Sequence, residues 1–278
     1  MDTIFVADFF ADTYVGGAEL TTEAILERSP CPITKMQCKN LNAQFVLENK
    51  NKKWIFGNFA NIDMGLLLYF MAQDIDYSII EYDYKYCQYR TPQLHKQYQG
   101  QCCEYSPRAQ LIFSFFLNAK SIWYMSHAQK QWYENACGSL TQTNSHVLSS
   151  VFDKKSLEQL SSLDCTNKNE LFLIQKHTNP AKGTEASLAY AKSNNLDYEL
   201  FSDLTHEELL HKFSTYKGFI CLPTDFDTCP RVAIEAKLMD CELVLNDNVQ
   251  HRNEEWFQKK ETIIPYMNER LEFFWKTI

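Results

Sequence analysis

Short apolar runs alternate with amphipathic stretches along the whole chain, and this alternation constrains the fold more than any other feature. The strand-sized runs lie at residues 3–7, 54–56, 77–82, 121–125 and 146–149, and then at 171–174, 198–201, 219–222 and 243–245. Helical patterns lie between them. Strands separated by helices predict parallel sheets with crossover connections. The predicted fold class is therefore α/β.

A polar break near the middle divides this alternation into two halves. Residues 138–144 and 153–169 are rich in polar side chains and interrupt the apolar pattern. The length of 278 residues also lies where chains usually split into two cores. We expect a first domain at 1–145, a second at 146–260, and a C-terminal helix at 261–278 whose aromatic face packs back on the first domain.

The net charge and the hydropathy pattern limit the binding partners and the cellular location that we expect for this protein. The net charge of −8 disfavours DNA, although a local basic groove could still bind it. The longest apolar stretch, residues 65–72, is shorter than the ~20 residues that span a bilayer. The first residues lack the pattern of a secretory signal, and ten cysteines without a disulfide-like spacing indicate reduced thiols. We expect a cytoplasmic protein with no membrane span.

A glycine pair, Gly16 and Gly17, follows the first predicted strand and opens a helix. Glycines let a ligand approach the main chain, and helix-start N–H groups favour phosphate or sugar oxygens. The G-x-G-x-x-G pattern of dinucleotide enzymes is absent from the sequence. A helix-start turn without a ligand is the alternative.

Cationic residues gather after the predicted strand at 171–174. Lys176, His177 and Lys182 lie in the loop that leads into the next helix. Positive charge fixed at this position would stabilise a diphosphate leaving group. A solvated loop is the alternative, because loop lysines usually face water.

Two acids follow the predicted strand at 219–222. Asp227 lies in the loop, and Glu235 lies on the apolar side of the next helix. This arrangement suits a sugar nucleotide, because carboxylates accept hydrogen bonds from vicinal hydroxyls while helix-start N–H groups take phosphate oxygens. The alternative is internal pairing of Glu235 with Arg231, four residues earlier.

A polar cluster follows the predicted strand at 77–82, at an end that opens onto the ligand crevice in α/β folds. Its charged members are candidate acceptor-binding residues: Glu81, Asp83, Lys85 and Arg90. His127 follows the strand at 121–125 in the same way and joins Lys182 and Asp227 as a candidate catalytic residue. The alternatives are a polar surface loop and a structural histidine.

Four possible metal ligands lie close together in one loop-like region: Cys87, His95, Cys102 and Cys103. Zinc binds such side chains. The spacing matches no standard zinc motif, and adjacent cysteines rarely bind one metal together. We therefore expect buried free thiols here and no metal.

The order of the motifs resembles that of the family 4 glycosyltransferases of the GT-B fold. The matching segments are Gly-Gly-Ala-Glu at 16–19, Lys-Gly at 182–183, Thr-His-Glu-Glu-Leu at 205–209, Pro-Thr-x-x-Asp at 223–227 and Glu-Ala at 235–236. The resemblance spans nearly the whole chain and implies two Rossmann-like domains facing each other across a cleft. The compact length is similar to that of phage versions, for which the location would be the host cytoplasm.

The resemblance also implies the donor-binding residues. They are Gly16, Gly17, Lys176, His177, Lys182, Asp227, Thr228, Cys229, Pro230, Arg231 and Glu235. Asp227 would hold donor-sugar hydroxyls, Glu235 the ribose and Lys182 the diphosphate, while the residues between Asp227 and the helix would use their main chain. Asp227 stands where the family usually has Glu, and Lys176 or His177 stands where it usually has Arg.

The resemblance therefore predicts a hexosyltransferase-type enzyme that moves a sugar from a nucleoside diphosphate sugar to an acceptor hydroxyl. Stereochemistry would be retaining, and neither a metal nor a cofactor would be needed. Two alternatives stay open. One is transfer to modified DNA bases, against which the low basicity argues. The other is a catalytically inactive GT-B binding module, which the altered donor motif favours.

Overall fold

The computed structural model describes residues 2–101 and 103–278. The chain forms two compact units. The first contains the chain up to Asp153 together with Asn268–Ile278, and the second contains Lys154–Met267.

The first unit is built on a six-stranded sheet with the strand order β2-β1-β3-β4-β5-β6, in which all neighbours are parallel. The strands are β1 (Thr3–Ala7), β2 (Ile33–Gln37), β3 (Lys53–Phe56), β4 (Tyr77–Glu81), β5 (Ser121–Tyr124) and β6 (Ser145–Val147). The sequence pattern misses β2 because this edge strand is not fully buried on either face and carries no apolar run.

Helices connect these strands and cover the sheet. They are α1 (Gly17–Glu27), α2 (Ala43–Glu48), α3 (Met64–Ala72), α4 (Pro92–Gln99), α5 (Pro107–Leu117) and α6 (His127–Ala136). Ser106 caps α5 and Ser126 caps α6, since each hydroxyl accepts a hydrogen bond from the main-chain N–H three residues later. These caps fix where both helices begin.

Aromatic rings fill the space between the sheet and helices α3 and α5. Phe56 meets Phe70 and Phe115 edge to face, with ring centroids 5.0 and 5.2 Å away. Tyr77 stacks on Phe115 at 4.2 Å, and its hydroxyl donates to the Phe115 carbonyl. Each such pair contributes about 0.5–1.5 kcal/mol beyond area burial. The strands β3 and β4, from which the following loops extend, are therefore held by tight aromatic packing.

The second unit has a four-stranded parallel sheet with the order β10-β9-β7-β8. Its strands are β7 (Phe172–Gln175), β8 (Tyr198–Phe201), β9 (Gly218–Cys221) and β10 (Glu242–Leu245), and its helices are α7 (Lys154–Ser162), α8 (Thr184–Ser193), α9 (His206–Thr215), α10 (Arg231–Leu238) and α11 (Glu255–Gln258). Part of its core is formed by Phe172, Ile174, Ala191 and Ile220. Two parallel sheets with intervening helices confirm the α/β prediction.

The final helix, α12 (Lys260–Thr277), ends in the first unit. Phe274 and Phe273 pack on Trp123 of β5, with ring centroids 4.9 and 5.4 Å away. The indole N–H of Trp275 donates to the Ile25 carbonyl at 3.0 Å. These aromatic residues of α12 therefore pack within the first unit.

The strands within each sheet run in the same direction, so the loops that follow their C-terminal ends share one edge. In the first unit that edge carries the loops after β1, β4 and β5, and in the second unit it carries those after β7 and β9. Within the described part of the chain, no helix combines the length and the apolar character that a membrane crossing requires.

Candidate functional site

The loops after the neighbouring strands β7 and β9 meet at the edge of the second sheet. Lys182 ends a single 3₁₀ turn, Pro180–Lys182, that precedes α8. Its Nζ donates to Asp227 Oδ2 at 2.8 Å. The Lys182 side chain is 44% exposed and that of Asp227 is 16% exposed. The structure thus brings two of the predicted catalytic residues into direct contact at a solvent-accessible position.

Gly183 explains why these two loops can approach so closely. Its φ of 71° lies in the left-handed region, and a Cβ built there would fall 1.8 Å from the Leu222 carbonyl oxygen. Thr224 ties the loops together, because its N–H donates to the Ala181 carbonyl and its hydroxyl donates to the Pro180 carbonyl, at 3.0 and 2.8 Å. Only glycine fits between the two main chains.

A third segment, residues 246–250, fixes Asp227 from the other side. The Asp227 N–H donates to the Asn248 carbonyl at 2.8 Å, and the Gln250 N–H donates to the Asp227 carbonyl at 3.0 Å. The side-chain amides of Asn246 and Asn248 both donate to the Pro223 carbonyl at 2.8 Å. Sequence reasoning missed these two asparagines, since their only signal is a position just after an apolar run.

Helix α10 begins directly after the Asp227 loop. Pro230 occupies the position before its first residue and has no side-chain oxygen that could cap the helix. The four predicted main-chain contacts, Thr228, Cys229, Pro230 and Arg231, are buried there. Pro230 has no N–H, so the donors that this segment could offer an anion are the other N–H groups around the helix start.

Glu235 lies inside α10 with its side chain only 2% exposed. His206 Nε2, on the first residue of α9, lies 3.0 Å from Glu235 Oε1, whereas Arg231 Nε lies 3.9 Å from the same oxygen. The closer polar partner is therefore His206 rather than the arginine considered in the sequence. A capping box formed by Thr205 and Glu208 starts α9 and places His206 there.

Lys176 and His177 are exposed after β7, in the loop that also holds Lys182. The Lys176 N–H continues the pairing with β8 by donating to the Phe201 carbonyl. His177 Nδ1 accepts the Asn179 N–H at 2.9 Å, which fixes the ring within the loop. Both side chains lie at the same strand end as Lys182.

His251 is a buried residue that sequence reasoning missed. It follows the segment that holds Asp227, is fully buried, and packs against the rings of Trp256 and Phe257, whose centroids are 5.4 and 4.4 Å away. Burial lowers the pKa of His251 to about 3, against a smaller opposing effect of Asp227. The ring is therefore neutral at ordinary pH.

In the first unit, Gly16 and Gly17 begin α1 after β1. A Cβ on Gly16 would fall 2.6 Å from Glu19 Oε2 and 2.9 Å from the Tyr14 ring, so a larger residue there would require both side chains to move. Burial raises the pKa of Glu19. An anion at this helix start would compete with the Glu19 carboxyl for the Glu19 N–H.

The structure corrects two of the four predicted acceptor contacts. Glu81 and Lys85 have no exposed side-chain surface, and Lys85 Nζ lies 3.0 Å from Glu81 Oε2. Their charges compensate each other inside the protein, so neither side chain is presented to an acceptor. Asp83 and Arg90 remain accessible and pair with each other at 3.1 Å.

His127 is exposed at the start of α6. Next to it, Gln129 links two strand ends, since its side-chain oxygen accepts the Met125 N–H at 2.7 Å and its side-chain amide donates to the Asp83 carbonyl at 2.6 Å. The loops after β4 and β5 are therefore joined. The predicted residues Asp83, Arg90 and His127 all lie on these two loops.

Comparison with solved structures identifies similar folds. HepE from Anabaena in complex with UDP has a TM-score of 0.57 at 12% identity, covering 100% of this chain and 92% of that one. The E. coli structure of trehalose-6-phosphate bound with UDP-2-fluoro glucose has a TM-score of 0.59 at 10% identity, covering 100% and 96%. The N-terminal domain of Candida albicans trehalose-6-phosphate phosphatase has a TM-score of 0.51 at 8% identity, covering 99% and 96%.

These similarities show the GT-B fold, with two Rossmann-like domains. No protein-family model matches the sequence, and no curated protein matches it. Because one fold hosts many activities, the function has to be argued from the residues of the site.

Proposed function

We propose that this chain is a glycosyltransferase that moves a sugar from a nucleoside diphosphate sugar to an acceptor hydroxyl. The observation that carries this proposal is the contact of Lys182 with Asp227 beside the start of α10. A cation, an acid and helix-start N–H groups at one strand edge match the charges and hydroxyls of such a donor. HepE, one of the similar structures, contains UDP-glucose in one of its complexes.

Lys182 would bind the donor diphosphate and stabilise the negative charge that develops as the sugar leaves. Its contact with Asp227 is partly exposed, and exposed ion pairs are worth only about 0–1 kcal/mol. A diphosphate can therefore displace Asp227 at small cost. The released carboxylate would then accept hydrogen bonds from the donor-sugar hydroxyls.

Glu235 would receive the ribose hydroxyls after a local rearrangement that uncovers its carboxylate, since its side chain is only 2% exposed and His206 lies against it. The residues from Thr228 to Arg231 would bind the sugar and diphosphate through their main chain, and Lys176 or His177 would add positive charge beside Lys182. Protein cations would then neutralise the diphosphate without a metal. Retention of stereochemistry and membership of family 4, in a phage-like version, belong to the same proposal through the sequence resemblance.

Asp83, Arg90 and His127 would bind the acceptor in the first unit, and His127 would take the hydroxyl proton. The buried pair of Glu81 and Lys85 would support this loop from inside, because Lys85 Nζ also lies 3.5 Å from Asp83 Oδ1. Gly16 and Gly17 would face the donor phosphates. The net charge of −8 disfavours DNA as the acceptor.

The proposal is tested with a panel of nucleoside diphosphate sugars. We expect one donor to raise the melting temperature by mass action and to release its nucleoside diphosphate during transfer. Lys182→Ala should reduce both the thermal shift at a fixed donor concentration and the release of nucleoside diphosphate, whereas Lys192→Ala, an exposed lysine on α8, should leave them unchanged. If no donor stabilises the protein, the proposal is wrong. Binding without sugar release or transfer would instead indicate an inactive binding module.

A further inference from the structure

Three side chains that are separated in the sequence converge in the first unit, in the loop region between β4 and α5. The ligand atoms of Cys87, His95 and Cys103 all lie within 4.8 Å of one another. Cys87 Sγ is 3.3 Å and Cys103 Sγ is 2.9 Å from the same ring nitrogen, His95 Nδ1. Cys87 is 0% exposed and Cys103 is 5% exposed. Two sulfur atoms and one imidazole nitrogen are thus close together, and both cysteines are shielded from solvent.

The local backbone is shaped to produce this convergence. His95 lies on α4, which follows Cys87 after a turn at Arg90 with a φ of 60°. Gly100, with a φ of 66°, ends α4 in the left-handed region and reverses the chain, which returns as a 3₁₀ turn at Cys103–Tyr105. Two left-handed residues therefore lie in the turns that bring both cysteines to the same nitrogen of His95.

The other side of the imidazole is also held. His95 Nε2 lies 3.0 Å from Gln99 Oε1, and the amide nitrogen of Gln99 donates to the Tyr89 hydroxyl at 3.1 Å. Tyr89 packs edge-on against the His95 ring. An amide oxygen can only accept, so Nε2 carries the proton and Nδ1 presents its lone pair to the sulfurs. A hydrogen bond at the ring nitrogen that does not bind the metal, such as this one from Nε2, is what orients metal-binding histidines.

We propose that Cys87 Sγ, Cys103 Sγ and His95 Nδ1 bind a zinc ion, with a water molecule as the fourth tetrahedral ligand. Zinc bonds of about 2.3 Å to sulfur and about 2.05 Å to nitrogen place tetrahedral S and N ligands about 3.5 Å apart. The observed separations of 3.3 and 2.9 Å need only a small opening of the site. Two thiolates and an imidazole suit zinc among the divalent metals. Binding converts both thiols to thiolates and releases their two protons to solvent.

The role of this metal would be structural. It would hold together the two ends of the segment from Cys87 to Cys103, which contains Arg90 and begins four residues after Asp83. This differs from the sequence analysis, which favoured free thiols because the spacing matches no known motif. Of the four residues named there, Cys102 lies outside the described residues, and the proposal uses only the other three.

Metal analysis of the full-length protein, purified under reducing conditions without a chelator, tests the site directly. We expect about one tightly bound zinc per chain. Replacing it with Co²⁺ should give the sulfur-to-cobalt charge-transfer absorption of thiolate ligands. This readout uses the wild-type protein, so it does not depend on whether a variant folds.

Variants then assign the ligands. Cys87→Ser and Cys103→Ser should lose the zinc and the cobalt absorption, while Cys165→Ser, a half-buried free cysteine in the second unit, should keep both. Gln99→Ala should bind zinc about 10- to 100-fold more weakly, as expected for an outer-shell partner. A metal-free wild type that fails to bind added Zn²⁺ or Co²⁺ overturns the proposal. So does a Cys87–Cys103 disulfide found by mass spectrometry in the reduced preparation.

Discussion

Lys182 Nζ and Asp227 Oδ2 lie 2.8 Å apart although 45 positions separate the two residues in the sequence. They meet because β7 and β9 are neighbours in the sheet and each residue follows the C-terminal end of its strand. A donor diphosphate would have to compete with Asp227 for the Lys182 ammonium. Because of this competition, substitutions of Lys182 and of Asp227 should have different effects on the affinity for the diphosphate.

The first prediction concerns the free nucleoside diphosphate of whichever donor proves active. Lys182→Ala should weaken its binding about 10- to 100-fold, because a hydrogen bond to a charged group is lost. Asp227→Asn should leave binding equal or up to about fivefold tighter, because it removes a competitor worth about 0–1 kcal/mol. Titration calorimetry measures both affinities. Equal weakening by the two substitutions would contradict the competition.

Gly183→Ala should strongly destabilise the second unit. The new Cβ would overlap the Leu222 carbonyl oxygen, and the left-handed backbone adds about 1–2 kcal/mol. Gly100→Ala is the matched comparison, since Gly100 is also left-handed but has open space around its Cβ position. It should therefore cost only about 1–2 kcal/mol. Urea unfolding measures both losses, and a Gly183→Ala loss no larger than that of Gly100→Ala would refute the steric argument.

Lys85→Met should destabilise the first unit by about 3–5 kcal/mol, because it leaves the buried Glu81 carboxylate without its cation. The double variant Glu81→Leu with Lys85→Met should recover much of that loss, since the buried carboxylate is then gone and Asp83 still pairs with Arg90. Thermal and urea unfolding give the comparison. The internal-pair interpretation fails if the double variant is as unstable as the single one.

Acid should destabilise the protein partly through His251. The pKa of His251 is lowered to about 3 in the folded protein from an ordinary 6.5. At pH values between these two pKa values, His251 binds a proton in the unfolded chain but not in the folded protein. Stability is then lost as the pH falls below about 6.5, by about 2 kcal/mol at pH 5.

His251→Phe removes this titration. Between pH 7.5 and pH 5, the variant should lose about 2 kcal/mol less unfolding free energy than the wild type, as measured by urea titrations at both values. His211→Ala, at an exposed histidine on α9, should keep the wild-type pH dependence. Identical losses in His251→Phe and the wild type would show that His251 does not contribute.

Much of the architecture could be predicted from local patterns. Fully buried strands such as β1 and β4 coincide with mainly apolar runs in the sequence. The alternation of these runs with helices predicts parallel sheets. The edge strand β2 could not be predicted from its apolar pattern, because it is only partly buried. Lys182 and Asp227 could be placed at one strand edge for the same reason, since every parallel strand ends at that edge.

The sequence by itself determined the α/β class, the final aromatic helix and the strand ends that carry the polar residues, because periodicity records which side of each element is buried. Only the tertiary structure decided which partner each buried polar group receives. His206 rather than Arg231 lies closest to Glu235, Glu81 and Lys85 are enclosed as a pair, and the cysteines eight residues before and after His95 contact the same ring nitrogen. Those partners depend on how separate elements pack, which no local pattern of residues records.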